Sequence, residues 1–224
     1  MGIRIIVLSV LIWTFSSTAL SSGICTGFLI SPVGHIGTAA HCLSSNSGKY
    51  WTITAQGMFE AKLVAVDTAH DVGILKIPIK TKTYFKLRDG LPWGNHVVTI
   101  GFPVVDLLGY FPKTFAGVVI QYLPKTFEYV FTLYVAPGSS GSPVFDYEGN
   151  VVAVVTKGRH IDFVTGSMFA IGTDSKILID LARKNLVPIK QGFNFYGEAF
   201  VSDLMGKVLQ QTQITKIVLI VHEE

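Results

Sequence analysis

Ala136-Pro137-Gly138-Ser139-Ser140-Gly141-Ser142-Pro143 is a run of small residues between two apolar runs, 129–135 and 144–145. Gly138 and Gly141 bracket the hydroxyl of Ser140, with Ser139 beside it. Glycine lets the chain turn where other residues cannot. Such a loop can bring successive backbone N–H groups into one small space beside the hydroxyl. A serine nucleophile needs that arrangement, because its oxygen attacks where an oxyanion then forms. The stretch also reads as a Gly/Ser surface turn joining two strands.

Two stretches upstream decide between these readings. Thr38-Ala39-Ala40-His41-Cys42 ends an apolar run on a histidine. Ala69-His70-Asp71-Val72-Gly73-Ile74-Leu75 sets a carboxylate just before another. A serine hydroxyl is a poor nucleophile at neutral pH and needs a base, which needs an orienting carboxylate. Asp71 at a strand mouth can accept from an imidazole N–H and fix its tautomer. Each residue alone reads as a loop or capping residue; His41, Asp71 and Ser140 together, each in its own motif, read as chemistry.

Around these motifs the chain is built of short apolar runs and turns. Runs 27–30 and 35–38 flank the turn Ser31-Pro32-Val33-Gly34, a hairpin. Further strand-like runs fall at 50–55, 61–66, 72–77, 97–100, 114–122, 129–135, 144–145 and 151–156. Pro92-Trp93-Gly94, Gly101-Phe102-Pro103 and Asp146-Tyr147-Glu148-Gly149-Asn150 punctuate them, and the polar stretch 81–89 is the candidate crossover. This spacing predicts an all-β barrel or sandwich. Residues 174–184 have helical spacing, with Ile177, Leu178, Leu181 and Ala182 on one face and Asp174 or Ser175 as cap. Beyond Pro188, Phe200, Val201, Leu204, Met205 and Val208 recur at helical intervals, and 217–221 is strand-like.

Composition narrows the class. The 224 residues are 49% hydrophobic and 15% charged, enough for a substantial core. A net charge of +3 without a Lys/Arg block gives no reason to expect nucleic acid. Arg4, the apolar run 5–15 and the small-polar Ser16-Ser17-Thr18-Ala19 read as a secretory signal cleaved after Ala19. The run is short of the roughly 20 residues that span a bilayer, so no stable span is expected once the signal is removed. An uncleaved anchor and a buried first strand are the alternatives. Cys25 and Cys42 can make one bridge, and export places them where a bridge persists.

The motifs resemble those of trypsin-like serine proteases. Thr38-Ala39-Ala40-His41-Cys42 looks like the histidine motif, His70 to Ile77 like the aspartate motif, and Gly138 to Pro143 like the nucleophile motif. Thr26 to Ile36, Val97 to Pro103, Phe115 to Val119 and Met168 to Ile171 resemble strands of the bacterial HtrA-like branch. The resemblance runs from Cys25 to Lys184 and implies two six-stranded antiparallel β-barrels with a closing helix. It places the first barrel at about 24–82, the second at about 90–185 and the protease domain at 20–188. That leaves 189–224 as an extension of unknown role. It implies peptide-bond hydrolysis through an acyl-enzyme, with Ser140 attacking, His41 relaying the proton and Asp71 orienting it. Gly138 and Ser140 would supply the oxyanion-hole N–H groups. A bridge between Cys25 and Cys42 follows from the same resemblance, against two buried free thiols. No metal or cofactor is implied, and the expected partners are polypeptide substrates in a periplasmic or extracellular setting.

Departures from the pattern bear on detail. Ser142 stands where the family has a second glycine, Ser139 replaces an acid or amide, and Ala136 an asparagine. An uncharged Ser139 offers no partner to a buried N-terminal ammonium, so activation by zymogen cleavage is not expected. The chain after Leu186 is too short for a PDZ domain. A gapless match puts Tyr134 on the floor of the substrate pocket, with Val154 and Thr156 on its wall. With no carboxylate there, it predicts an apolar residue before the cut bond. An α/β-hydrolase would run Ser, acid, His, the reverse of this chain. A catalytically silent, trypsin-like binding or chaperone module is the other alternative. Oligomeric state and natural substrate are not legible.

Overall fold

A computed structural model describes residues 23–44, 49–162, 167–192 and 216–222. The segment read as a signal and the helical intervals at 200–208 lie outside them. The strands are β1 Gly23–Leu29, β2 His35–Thr38, β3 Tyr50–Thr54, β4 Gly57–Asp67, β5 Val72–Lys76, β6 His96–Gly101, β7 Lys113–Leu123, β8 Glu128–Phe131, β9 Pro143–Phe145, β10 Val151–Asp162, β11 Ser167–Asp174 and β12 Ile217–His222. A short helix, α1 Val105–Leu108, follows β6, and α2 Ser175–Lys184 follows β11.

The strands close into two antiparallel six-stranded barrels, β1-β12-β3-β4-β5-β2 and β10-β11-β8-β7-β6-β9. Closure removes the unpaired edges an open sheet would expose. The fold class read from the strand spacing and the motifs is the one observed. The sixth strand of the first barrel comes from the far end of the chain. β12 sits between β1 and β3, with Cys25 opposite Ile220 and Thr52 opposite the same residue on the other side. Part of the stretch read as an extension of unknown role is therefore a barrel strand, and Ile217, Val218, Leu219 and Ile220 are buried.

Each barrel has an apolar interior. Leu29, Ile36, Leu75 and Val218 fill the first, and Val97, Phe131, Val144 and Ala153 the second. A third cluster joins the barrels and α2 through Phe28, Ile30, Val98, Phe145, Val154 and Leu178. Asp174 caps α2 as expected, its side chain accepting from Lys176 N–H at 2.9 Å. Burial of the apolar face of α2 against this shared cluster packs the barrels side by side.

The candidate active site

His41 stands on a 3₁₀ turn, Ala40–Leu43, that leaves β2. Eclipsing of every third residue in such a turn lets Ala40 and Leu43 face the core while the His41 side chain stays 47% exposed. The sulfurs of Cys42 and Cys25 are joined, with Cα atoms 6.1 Å apart, tying the turn to β1. The His41 ring and these sulfurs lie within 4.8 Å of one another. Sulfurs joined to each other offer no thiolate, so the grouping is not a metal site.

Asp71 occupies the left-handed region at φ 57°, which Asp tolerates better than most residues. The turn before it is held by Asp67, which accepts from His70 N–H at 3.1 Å and lies 2.9 Å from His70 Nδ1. The His70 ring meets Phe127 edge-on, and its carbonyl accepts from Thr173 Oγ1 at 2.6 Å, so the turn rests on the second barrel. Asp71 Oδ1 accepts from His41 N–H and Oδ2 lies against His41 Nδ1, both at 2.8 Å. Burial alone would raise the Asp71 pKa. The His41 bonds and charge, with Lys157 nearby, outweigh it and hold the carboxyl below its ordinary value.

Ser140 sits on the loop between β8 and β9. Its carbonyl accepts from Thr26 N–H in the first barrel at 2.8 Å. Gly141, at φ 81°, lies so close to that barrel that an added Cβ would meet Thr26 O at 2.1 Å and Thr38 Oγ1 at 2.2 Å. The structure thus brings the Ser140 loop against the strand ends that carry Cys25 and His41. Among the described residues, neither Ser140 Oγ nor His41 Nε2 has a hydrogen-bond partner.

The loop is held partly by its own groups and partly by its neighbours. Ser139 N–H donates to Ala136 O at 2.8 Å, and Ala136 N–H donates back to Ser139 Oγ at 3.1 Å. Val104 N–H holds Pro137 O at 2.8 Å, and Ser142 N–H holds Ser139 O at 3.0 Å. C=O and N–H point opposite ways across a trans peptide. Pinning those two carbonyls turns the N–H groups of Gly138 and Ser140 to the other side. Neither N–H has a protein acceptor among the described residues. Gly138, at φ 93°, has Phe102 O only 2.2 Å from where a Cβ would sit.

A cavity of about 190 Å³ opens beside Ser140, lined by Val135, Ala136, Pro137, Ser139, Val155, Thr156, Lys157 and Gly158. Of the pocket residues read from the sequence, Thr156 lines this cavity; Tyr134 and Val154 do not. Leu133 and Val135 point inward, so the residue between them points out. Tyr134 is 49% exposed and stacks on Phe115 with ring centroids 5.0 Å apart. Val154 is fully buried in the cluster between the barrels. That alternation is visible in the sequence.

The trypsin-like peptidase domain model matches residues 25–154, more than half of the chain. The chain belongs to the trypsin-like peptidase domain family. It is 31% identical over 137 residues to a probable periplasmic serine endoprotease, DegP-like, of Pseudomonas fulva, covering 58% of this chain and 28% of that protein. It is 31% identical over 134 residues to the uncharacterized protein y4bJ of Sinorhizobium fredii, covering 58% and 21%. The chain thus spans about a quarter of the length of these curated relatives. Among solved structures it resembles the HtrA-type protease AlgW with decapeptide (TM-score 0.59, 19% identity, 71% of this chain and 50% of that one). It also resembles the Rv3671c protease of M. tuberculosis in an inactive form (TM-score 0.58, 22% identity, 73% and 87%). At these identities the structural likeness speaks for the two-barrel fold.

Proposed function

We propose that the chain is a serine endopeptidase in which Ser140, His41 and Asp71 form the catalytic triad. The observation that carries this reading is the doubly bonded His41–Asp71 pair, set beside a loop whose Gly138 and Ser140 N–H groups are unpaired. Asp71 accepts a hydrogen bond from the N–H on Nδ1, which leaves Nε2 as the acceptor for the Ser140 hydroxyl proton. That bond forms when substrate seats the hydroxyl; triad bonds are often open in a free enzyme. Ser140 Oγ attacks the peptide carbonyl, and the carbonyl oxygen, now negative, takes the two free N–H groups. His41 gives its proton to the departing amine, leaving an acyl-enzyme that water hydrolyses by the same steps in reverse. The sequence reading of Gly138 and Ser140 as the oxyanion hole stands within this proposal.

The substrates are polypeptides, and the residue before the cut bond fills the cavity beside Ser140. The signal-like segment and the periplasmic naming of relatives support export, and the bridged state of Cys25 and Cys42 fits an oxidising compartment. Among the described residues no helix is long and apolar enough to cross a membrane. The test is labelling with a fluorophosphonate probe together with cleavage of an unfolded protein. The parent should do both and Ser140→Ala neither, at equal thermal stability. Equal cleavage by Ser140→Ala would refute the nucleophile, and an unreactive parent that still binds unfolded chains would make it a silent binding module.

A further inference from the structure

Thr26 is fully buried in β1, and all of its polar groups are engaged. Its N–H donates to Ser140 O and its Oγ1 donates to Gly138 O, both at 2.8 Å. Oγ1 also accepts from Phe102 N–H at 3.0 Å, and its carbonyl accepts from Thr38 Oγ1 at 2.8 Å. One first-barrel residue therefore grips two alternate carbonyls of the second barrel's nucleophile loop. It also holds Phe102, whose own carbonyl presses on Gly138.

We propose that Thr26 is a positioning residue for the oxyanion donors, a reading that rests on Ser140 being the nucleophile. Fixing Gly138 O turns Ser139 N–H the other way, onto Ala136 O at 2.8 Å, and fixing Ser140 O turns Gly141 N–H onto Val155 O at 2.7 Å. Thr26 thus sets the 138–139 and 140–141 peptide planes. The planes between and before them carry the Ser140 and Gly138 N–H groups. Glycine at 138 has no side chain to bias its own backbone, so the orientation of its N–H depends on what holds the planes to either side. Val104 holds Pro137 O on one side, and the Thr26 hydroxyl holds Gly138 O on the other. The neighbour of Thr26, Cys25, is joined to Cys42 beside His41. Strand β1 is therefore a common reference for base and donors, which lie on different barrels.

The hydroxyl is separable from the backbone bond, because Thr26→Val keeps the shape and the N–H but deletes the donor to Gly138 O and the acceptor for Phe102 N–H. Rates are taken on a fluorogenic peptide with Val before the cut bond, per site titrated with fluorophosphonate. Thr26→Val should lose about 10- to 100-fold in kcat, part of the loss from deleting an oxyanion donor outright, with KM within about threefold. Inhibition by a peptide valine boronic acid should weaken by the same factor as kcat/KM. Thr26→Ser should restore kcat to within about threefold of the parent. Should the Val variant not fold, Thr26→Ala against Thr26→Ser gives the same comparison. An unchanged kcat per titrated site in a folded variant lacking the hydroxyl would overturn the proposal while leaving the triad intact. A loss matched by the fall in titratable sites would reduce Thr26 to a packing role. A parent that neither labels nor cleaves would remove the triad reading and this one with it.

Discussion

Asp71 accepts two hydrogen bonds from a single residue, His41, through its backbone N–H and its Nδ1, each at 2.8 Å. Two anchors on one residue fix the imidazole plane as well as its tautomer. Asp71→Asn keeps the shape but reverses the preferred tautomer, so kcat should fall by about 10⁴-fold with the fold retained by circular dichroism. Because the Asp71 pKa lies below its ordinary value, its ionised form supports the fold. That support is present above the unfolded value of about 4 and is lost as pH falls through the lower folded value. Denaturant midpoints below about pH 4 should therefore drop more steeply in the parent than in Asp71→Asn.

Strand β12 should be indispensable. Removing residues 216–224 opens the first barrel, leaving β1 and β3 as unpaired edges and uncovering the interior that Ile217 to Ile220 close. The truncated chain should aggregate or bind a hydrophobic dye, and lose peptide hydrolysis with its fold. A soluble truncated protein with the parent melting temperature would contradict the closed barrel.

His35 should give the fold a second, higher pH window. Burial first, and then Lys76 opposite it on β5, push its pKa down to about 4. The unfolded chain takes up this proton near pH 6.5 and the folded chain only near 4. Stability is thus full above about pH 6.5 and declines as pH falls toward 4. Urea midpoints measured from pH 7 to 4.5 should slope downward in the parent and flatten in His35→Gln. An identical slope in both would assign the effect elsewhere.

Arg88 and Asp146 form an ion pair at 2.8 Å with side chains 6% and 1% exposed. Asp146 also accepts from the Glu148 and Asn150 N–H groups and from Asn150 Nδ2, so the pair clamps the inter-barrel connection onto the turn before β10. Arg88→Met strands a buried carboxylate and should cost about 3–5 kcal/mol, read by chemical denaturation. Pairing it with Asp146→Ala should cost less than the sum of the single changes; full additivity would mean the charges are not coupled.

Cleavage-site profiling should return small or medium apolar residues before the cut bond. The cavity of about 190 Å³ beside Ser140 has Val135, Ala136, Val155 and Gly158 in its wall and, among the described residues, no carboxylate in its lining. Lys157, the charged residue among the described lining, repels a cation, although Glu128 at 2.9 Å offsets part of that charge. A profile dominated by Lys or Arg would refute this assignment.

The sequence by itself determined what depends on a few neighbouring residues. The His41, Asp71 and Ser140 motifs, the turn at Ser31 to Gly34 and the cap at Asp174 are each complete within a handful of positions, because turn chemistry and caps act over one or two turns of chain. The spacing of short apolar runs and turns likewise marked an all-β fold. The inward set at Leu133 and Val135 was legible too, and with it the exposed position of Tyr134, which the gapless match put on the pocket floor. Tertiary structure alone decided that β12 enters between β1 and β3, and that Thr26 reaches Gly138, 112 residues away. Nothing local distinguishes 217–222 as a barrel strand from an apolar tail, or Thr26 from any buried threonine. Strand partners and long-range hydrogen bonds are chosen by which distant edge remains unpaired once the chain has collapsed. That choice is recorded in the packing of the whole barrel rather than in any one stretch.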